Sequence, residues 1–143
     1  MKHQQYLLDT NICAFILRGK YHLDERIEAI GGMENCCISE VTVAELKYGK
    51  IYGQLKGGPK YKDQKLEDFI DNIEVLRIMP YFDAYAKERA RLELAGTRSD
   101  DDFDLLIGCT SVEEDMVMVT ENVDDFKNIQ GIRIENWVDR TKK

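Results

Sequence analysis

The sequence predicts an α/β fold with a central, mostly parallel sheet. Short apolar stretches alternate along the chain with longer segments of helical spacing, and this alternation is typical of such folds. The stretch Met116-Val117-Met118-Val119 is continuously apolar, as expected for a strand that is covered on both faces. A length of 143 residues suits one domain, so we predict a single domain over residues 1–143 without a linker.

The predicted elements follow from periodicity and from helix-ending residues. Strands are predicted at residues 6–8, 35–38, 74–78, 116–119 and 132–134. Helices are predicted at residues 10–17, 23–30, 42–52, 62–72, 84–95 and 101–114, and a short turn begins at residue 124. The glycines between residues 53 and 59, together with Pro59, indicate one clear loop.

The composition predicts a soluble cytoplasmic protein. Hydrophobic residues make up 43% of the chain and charged residues 33%. No apolar run approaches the ~20 residues that cross a bilayer, so we expect no membrane association. The N-terminal residues lead directly into the first strand without the apolar stretch of a secretory signal.

The four cysteines are Cys13, Cys36, Cys37 and Cys109, and each lies in an apolar stretch. They lack C-x-x-C spacing and nearby histidines, so buried reduced thiols are the prediction. The two histidines, His3 and His22, lie far from every motif, which leaves no cluster suited to zinc.

The charge distribution bears on a nucleic-acid function. A formal net charge of −7 is unfavourable for phosphate binding, which depends on Lys and Arg. Basic residues nevertheless concentrate in the middle of the chain, where they are predicted to form a positive flank or simply a solvated face. These residues are Lys47, Lys50, Lys56, Lys60, Lys62 and Lys65.

Three acids stand at the starts of predicted helices: Asp9, Glu45 and Asp104. Ligands of such sheets bind beyond the carboxyl ends of the strands, where the chain order reverses, and Asp9 and Glu45 follow the first two strands. Convergence of the three side chains would create a carboxylate pocket for a hard divalent cation. The pattern therefore predicts a metal-dependent phosphoryl-transfer enzyme.

Each acid also has an alternative interpretation as a helix cap. Asp9 can cap the helix that follows it. Thr42 and Glu45 have the T-x-x-E spacing of a capping box. Asp104 can be a first-turn acid favoured by the helix dipole, like the neighbouring acids at 100–102. Asp9 and Asp104 are embedded in apolar sequence, where desolvation of a carboxylate needs compensation, and a bound cation would provide it.

Four stretches of the chain resemble the PIN-domain family, in particular ribonuclease toxins of the VapC type. They are Leu7-Leu8-Asp9-Thr10-Asn11-Ile12, residues 38–49 (ISEVTVAELKYG), Phe103-Asp104-Leu105-Leu106-Ile107-Gly108 and residues 118–126 (MVTENVDDF). The stretches occur in family order and with family-like spacing, and the resemblance continues through residues 131–137. It implies a PIN-like three-layer α/β/α architecture.

The resemblance implies that Asp9, Glu45 and Asp104 are the catalytic and metal-binding acids, with Mg²⁺ or Mn²⁺ as cofactor. The fourth acidic position of the family falls on Asn122, which adds no charge, so the chain can hold one or two metal ions. The auxiliary site residues are predicted to be Asn122, Thr10, Asn11, Thr120, Asp102 and Asp125. The predicted contacts to the RNA backbone are Lys47, Lys50 and Arg98.

The resemblance further implies a function and partners. It implies an endoribonuclease that hydrolyses RNA phosphodiesters through a metal-activated water, and that is the toxin of a toxin–antitoxin pair. The partners would be the RNA substrate, a cognate antitoxin protein with a basic segment, and a second copy of the chain in a homodimer.

Two other functions are compatible with parts of the pattern. A non-catalytic PIN-like binding or scaffold module would explain Asn122 as a lost acid. An aspartyl phosphatase would use Asp9 as nucleophile, but that class has a second acid two residues later, where this chain has Asn11. Stabilisation by Mn²⁺ would distinguish a nuclease from a scaffold.

Overall fold

A computed structural model describes residues 3–58, 61–98 and 101–143. The strands are β1 (Tyr6–Leu8), β2 (Cys36–Ser39), β3 (Glu74–Leu76), β4 (Val117–Val119) and β5 (Ile134–Glu135). The helices are α1 (Thr10–Leu17), α2 (Leu23–Ala29), α3 (Glu40–Lys56), α4 (Asp63–Asp71), α5 (Phe82–Ala95), α6 (Asp102–Glu113) and α7 (Val123–Phe126). Short 3₁₀ helices span Met33–Asn35 and Met79–Tyr81.

The five strands form one sheet in the order β3-β2-β1-β4-β5. Every neighbouring pair is parallel, which confirms the predicted α/β class. The chain adds β2 and β3 on one side of β1 and then returns to add β4 and β5 on the other. The order therefore reverses between β1 and β4, and the crevice for a ligand is expected beyond the carboxyl ends of these two strands.

The three central strands, β1, β2 and β4, are largely buried because their side chains alternate between two apolar layers. Leu8 packs with helices α1, α2 and α4, whereas Leu7 packs with α5, α6 and α7. Met118 in β4 faces the same layer as Leu7, and its two strand neighbours face the other. This division of the core confirms the predicted three-layer α/β/α arrangement.

Helix α3 differs most from its predicted bounds. It begins at Glu40, capped by the Ser39 side chain, which accepts a hydrogen bond from Val41 N at 3.1 Å, and it continues to Lys56. The predicted loop at 53–59 is therefore wrong for residues 53–56, because Gly53 is accommodated inside the helix. Pro59 and Lys60 lie outside the described residues.

The last strand also differs, since pairing with β4 involves Ile134 and Glu135 rather than residues 132–134. The remaining predicted helices and strands agree with the structure to within two residues at each end. The four cysteines are buried and free, as predicted. None of the described helices combines the length and the apolar character needed to span a membrane.

Candidate active site

Asp9 lies at the point where the strand order reverses. It follows β1, its backbone N donates to Val119 O of β4 at 2.9 Å, and its side chain is only 4% exposed. One carboxylate oxygen accepts from Thr10 N at 2.8 Å, so Asp9 is the N-cap of α1. The other oxygen accepts from the Thr120 hydroxyl at 2.8 Å. The capping interpretation is therefore correct for Asp9, but the cap leaves the carboxylate at the crevice.

Burial is the main cause of the raised pKa of Asp9, and nearby carboxylates at Asp125 and Asp101 add to it. The hydrogen bonds from Thr120 and Thr10 act in the opposite direction, because they stabilise the charged form. The backbone N of Asn122 donates to the Thr120 hydroxyl at 3.0 Å, which fixes this hydroxyl beside Asp9.

Glu45 is held by Thr10, which in turn contacts Thr42. The Thr10 hydroxyl donates to Glu45 Oε1 at 2.6 Å, and its oxygen is 3.1 Å from the hydroxyl oxygen of Thr42. A hydroxyl has one proton to donate, so Thr10 gives it to the carboxylate and accepts from Thr42. Thr42 is fully buried, and its hydroxyl serves to orient Thr10.

The capping-box interpretation of Glu45 is wrong. Ser39 caps α3, so Thr42 lies inside the first turn of the helix, and the Glu45 side chain is directed to Thr10 instead. Burial raises the pKa of Glu45, with smaller contributions from the charges of Asp9 and Asp101.

Asp104 lies in the first turn of α6, one turn after the N-cap Asp101. The Asp101 carboxylate accepts from Phe103 N at 2.9 Å and from Asp104 N at 3.1 Å. Burial is the main cause that raises the pKa of Asp104 to about 8, and the charges of four other carboxylates contribute to this rise. In order of effect these are Asp101, Asp9, Asp125 and Glu45.

Sequence reasoning treated Asp101 only as one of several first-turn acids. In the structure its charge raises the pKa of Asp9, Glu45 and Asp104. The available signal was the D-x-x-D spacing of Asp101 and Asp104, because an N-cap and the N3 position share one helix end.

The donor chemistry fits a hard divalent cation. Asp9, Glu45 and Asp104 offer only oxygen atoms, and their mutual repulsion is the interaction that a bound cation would relieve. Within the described ranges, however, no three His, Cys, Asp or Glu side chains are already grouped closely enough to hold a metal ion. The charges of the three predicted acids therefore influence one another, but their side chains are not grouped as a complete set of metal ligands.

The other predicted auxiliary residues divide into two groups. Asn11, Asn122 and Asp125 are exposed around the acids, and Asp125 is close enough to raise the pKa of Asp9 and Asp104. Asp102 instead faces Arg98, whose Nη2 donates to its Oδ1 at 2.6 Å and thereby lowers its pKa.

The predicted RNA contacts also differ in their surroundings. Arg98 is held between Asp102 and Glu93, whose Oε1 is 3.3 Å from Arg98 Nε. Lys47 is exposed, and Lys50 lines a groove next to Glu45 while its Nζ lies 3.9 Å from Asp63 Oδ1. Arg98 is thus engaged within the fold, whereas Lys50 faces a surface that adjoins the acids.

The fold and the buried acid at its switch point agree with a family match. The model of the PIN domain family matches residues 6–132. This match covers most of the chain, so the protein belongs to the PIN domain family.

Among curated proteins, the chain is similar to enzymes named VapC. It is 34% identical over 136 residues to the tRNA(fMet)-specific endonuclease VapC of Salmonella typhimurium, covering 93% of this chain and 98% of that protein. It is 31% identical over 136 residues to ribonuclease VapC2 of Rickettsia felis, covering 92% and 97%. The predicted resemblance to VapC-type toxins is confirmed.

Among solved structures, the chain is similar to the DNA-bound VapBC of Salmonella typhimurium. The TM-score is 0.77 at 32% identity, and the match covers 94% of this chain and 98% of that chain. The fold prediction is therefore confirmed along nearly the whole length.

Proposed function

We propose that this chain is an endoribonuclease that depends on Mg²⁺ or Mn²⁺ and acts as the toxin of a toxin–antitoxin pair. The observation that carries the proposal is that Asp9, Glu45 and Asp104 lie close enough beside the β1–β4 crevice for the charges of the first two to raise the pKa of the third. The chain in which they do so belongs to the PIN domain family. The names of the VapC relatives support a ribonuclease.

The chain's own residues would divide the work of hydrolysis. Asp9 and Asp104 would hold the cation, and Thr120 would fix the ligating oxygen of Asp9 by its hydrogen bond. Glu45 would complete the ligand set in the orientation that Thr10 imposes. Asn122 and Asp125 would border the position of the scissile phosphate.

When bound, the cation would activate a water for in-line attack and stabilise charge on the leaving oxygen. Attack on phosphorus would break the bond to the 3′-oxygen, which then takes up a proton. The products would be a 5′-phosphate and a 3′-hydroxyl, without a covalent enzyme intermediate.

We propose further that the protein is cytoplasmic, forms a homodimer and is inhibited by a cognate antitoxin. The similarity to a chain of a VapBC structure, together with the relatives named VapC, supports the antitoxin. A basic segment of that partner would be attracted to the acids, which repel one another in the free chain. Failure to recover a small basic companion by pull-down from the source organism would count against this partnership.

The first test compares cleavage of a panel of structured RNAs by wild type, Asp9→Asn and Asp24→Asn, with Mg²⁺ or Mn²⁺ and with excess EDTA. Asp24 lies in the first turn of α2 and serves as the matched control. We expect Asp9→Asn to lose more than ~100-fold in rate, because loss of even an outer-shell partner of a metal ligand typically costs 10–100-fold. EDTA should abolish cleavage, and Asp24→Asn should cut as wild type does.

A second pair of variants tests the role of Thr10 as a positioning residue. Thr10→Val removes the hydroxyl bonded to Glu45, and we expect a roughly 10–100-fold lower rate and weaker Mn²⁺ affinity. Thr10→Ser keeps the hydroxyl and should restore both. Equal rates for the valine and serine variants would show that Thr10 does not act through Glu45.

Equal cutting by wild type and Asp9→Asn would identify the activity as a contaminant. One other function, a non-catalytic scaffold, is favoured by a single observation: among the described residues, no three His, Cys, Asp or Glu side chains are grouped as metal ligands. A scaffold should show neither cleavage nor a rise in melting temperature with Mn²⁺. Stabilisation of wild type alone by Mn²⁺ would support a real site.

A further inference from the structure

A groove of about 690 Å³ extends from the acids along α3. At one end it is lined by Thr10, Asn11 and Glu45, and at the other by Lys56 and Tyr61. The groove is therefore continuous with the candidate active site.

The α3 side of the groove is a single stripe of the helix. Residues three or four positions apart lie on one helix face, and the residues at this spacing line the groove. They are Glu45, Tyr48, Gly49, Tyr52, Gly53 and Lys56, and Leu46 and Lys50 line the groove beside them.

Two exposed tyrosines stand along this stripe. Tyr48 is 69% exposed and Tyr52 is 49% exposed, and their ring centroids are 6.0 Å apart at an interplanar angle of 32°. Lys56 Nζ lies 5.4 Å from the centroid of the Tyr52 ring. Exposed aromatic rings next to cations are the features on which single-stranded nucleic acids stack their bases.

No packing contact explains the glycine at position 49 of the stripe. A Cβ at this position would meet no heavy atom within 4 Å, and glycine within a helix destabilises it relative to alanine. Gly49 instead leaves open space in the groove, at a helix position between Tyr48 and Tyr52. A ligand lying in the groove would use that space.

The charge of the groove is complementary to phosphate. Arg18, Lys50 and Lys56 line it, and of the acids that the structure describes only Glu45 does so. This surface is therefore positive within a chain of net charge −7. The Lys50 ammonium lies near Asp63, so Arg18 and Lys56 are the more available cations.

We propose that this α3 groove binds a single-stranded segment of the RNA substrate, with bases stacked on Tyr48 and Tyr52 and with backbone phosphates near Arg18 and Lys56. The proposal rests on the ribonuclease function proposed above. From Glu45 to Lys56 the helix rises about 16 Å, which spans about five nucleotides at the ~3.4 Å spacing of stacked bases. The groove thus holds the strand on one side of the scissile phosphate.

Binding is tested by fluorescence anisotropy with a labelled single-stranded RNA of about 15 nucleotides. The protein is the full chain carrying Asp104→Asn, so that the RNA is not cut, and cleavage is measured in parallel without this substitution. We expect Tyr52→Leu to weaken binding by about 5–50-fold, since it removes a stacking ring, and Tyr52→Phe to stay within about twofold.

Gly49→Leu separates stability from binding. Leucine favours a helix more than glycine does, and a Cβ at this position meets no heavy atom within 4 Å, so the melting temperature should stay the same or rise. The leucine side chain would fill the open space in the groove, and binding should weaken. Lys56→Gln should also weaken binding, whereas Lys87→Gln on α5, outside the groove, should not.

Unchanged RNA binding and cleavage in folded Tyr52→Leu and Gly49→Leu would overturn the proposal. Loss of a co-expressed protein partner by these variants, with RNA binding intact, would also overturn it and assign the groove to that protein. Wild type that neither binds nor cuts any RNA would instead refute the proposed function, and this proposal with it.

Discussion

At the scale of single residues, one side chain can both cap a helix and belong to the candidate active site. Asp9 caps α1 through one carboxylate oxygen and receives the Thr120 hydroxyl on the other. The sequence could place Asp9 at a strand end and offer both interpretations. It could not show that Glu45 bonds to Thr10, because that contact spans 35 positions and depends on how α1 packs against α3.

The pKa of Asp104 leads to a prediction for stability in the absence of metal. Burial, together with the nearby carboxylates, raises this pKa to about 8 in the folded protein, well above its ordinary value. The stabilisation is therefore complete below about pH 4 and is lost as the pH rises through about 8, because the unfolded chain gives up the proton first. Asp9 and Glu45, whose pKa values are also raised, act in the same direction.

In EDTA, the melting temperature of wild type should fall between pH 5 and pH 9, and Asp104→Asn should reduce the fall by about 3–6 °C. That range assumes about 1–2 kcal/mol after solvent screening of a partly exposed group. Asp102→Asn is the matched control: Arg98 lowers the pKa of Asp102, so this variant should not reduce the fall. Differential scanning fluorimetry measures these melting temperatures. Parallel curves of melting temperature against pH for wild type and Asp104→Asn would contradict the prediction.

At the scale of elements, periodicity predicted most helices and strands but misjudged interruptions. Gly53 indicated the end of α3, yet the helix continues to Lys56 because Gly53 and Gly57 take part in its last hydrogen bonds. The position of β5 depends on pairing with β4, which local sequence does not contain. Asp101 was not predicted as a site residue because its charge acts on Asp9 and Glu45, which lie on other elements of the fold.

The packing of α6 against the segment after α7 depends on Gly108. A Cβ at this position would lie 2.3 Å from Ile129 Cδ1, 3.3 Å from Phe126 Cδ1 and 3.5 Å from Ile132 Cδ1. The end of Ile129 can move, so Gly108→Ala should change stability little. Gly108→Val should lower the free energy of unfolding by about 2–3 kcal/mol, as overpacked cores do.

Urea denaturation of both variants checks the role of Gly108, with Gly49→Ala as a control. Gly49 faces open space, so its alanine variant should be more stable by about 0.5–1 kcal/mol. A Gly108→Val protein as stable as wild type would show that α6 and its neighbours have more room than the structure indicates. The α6 N-terminus carries Asp101 and Asp104, so the valine variant should also lose cleavage activity.

At the scale of the whole molecule, the strand order explains why distant acids meet. The alternation of elements predicted a parallel sheet with a site at the carboxyl ends, and the order β3-β2-β1-β4-β5 places β1 and β4 side by side. Sequence alone did not give this order, since it depends on which face each crossover helix covers. The family resemblance supplied the architecture that periodicity left open.

The number of cations in the α3 groove predicts how strongly salt affects RNA binding in this chain of net charge −7. Few phosphates can be neutralised if Arg18, Lys50 and Lys56 are the cations of the groove. With a slope of about −0.7 per phosphate on single strands, log K should fall with log salt at a slope of about −1.4 for Arg18 and Lys56, and of about −2 if Lys50 also leaves Asp63 for a phosphate. Binding of the labelled RNA to Asp104→Asn between 50 and 300 mM KCl measures this slope, and Lys56→Gln should make it shallower by about 0.7. A slope steeper than about −4 would require a basic surface beyond one groove, either elsewhere on this chain or on a second copy, and would show that the groove is a minor part of the RNA interface.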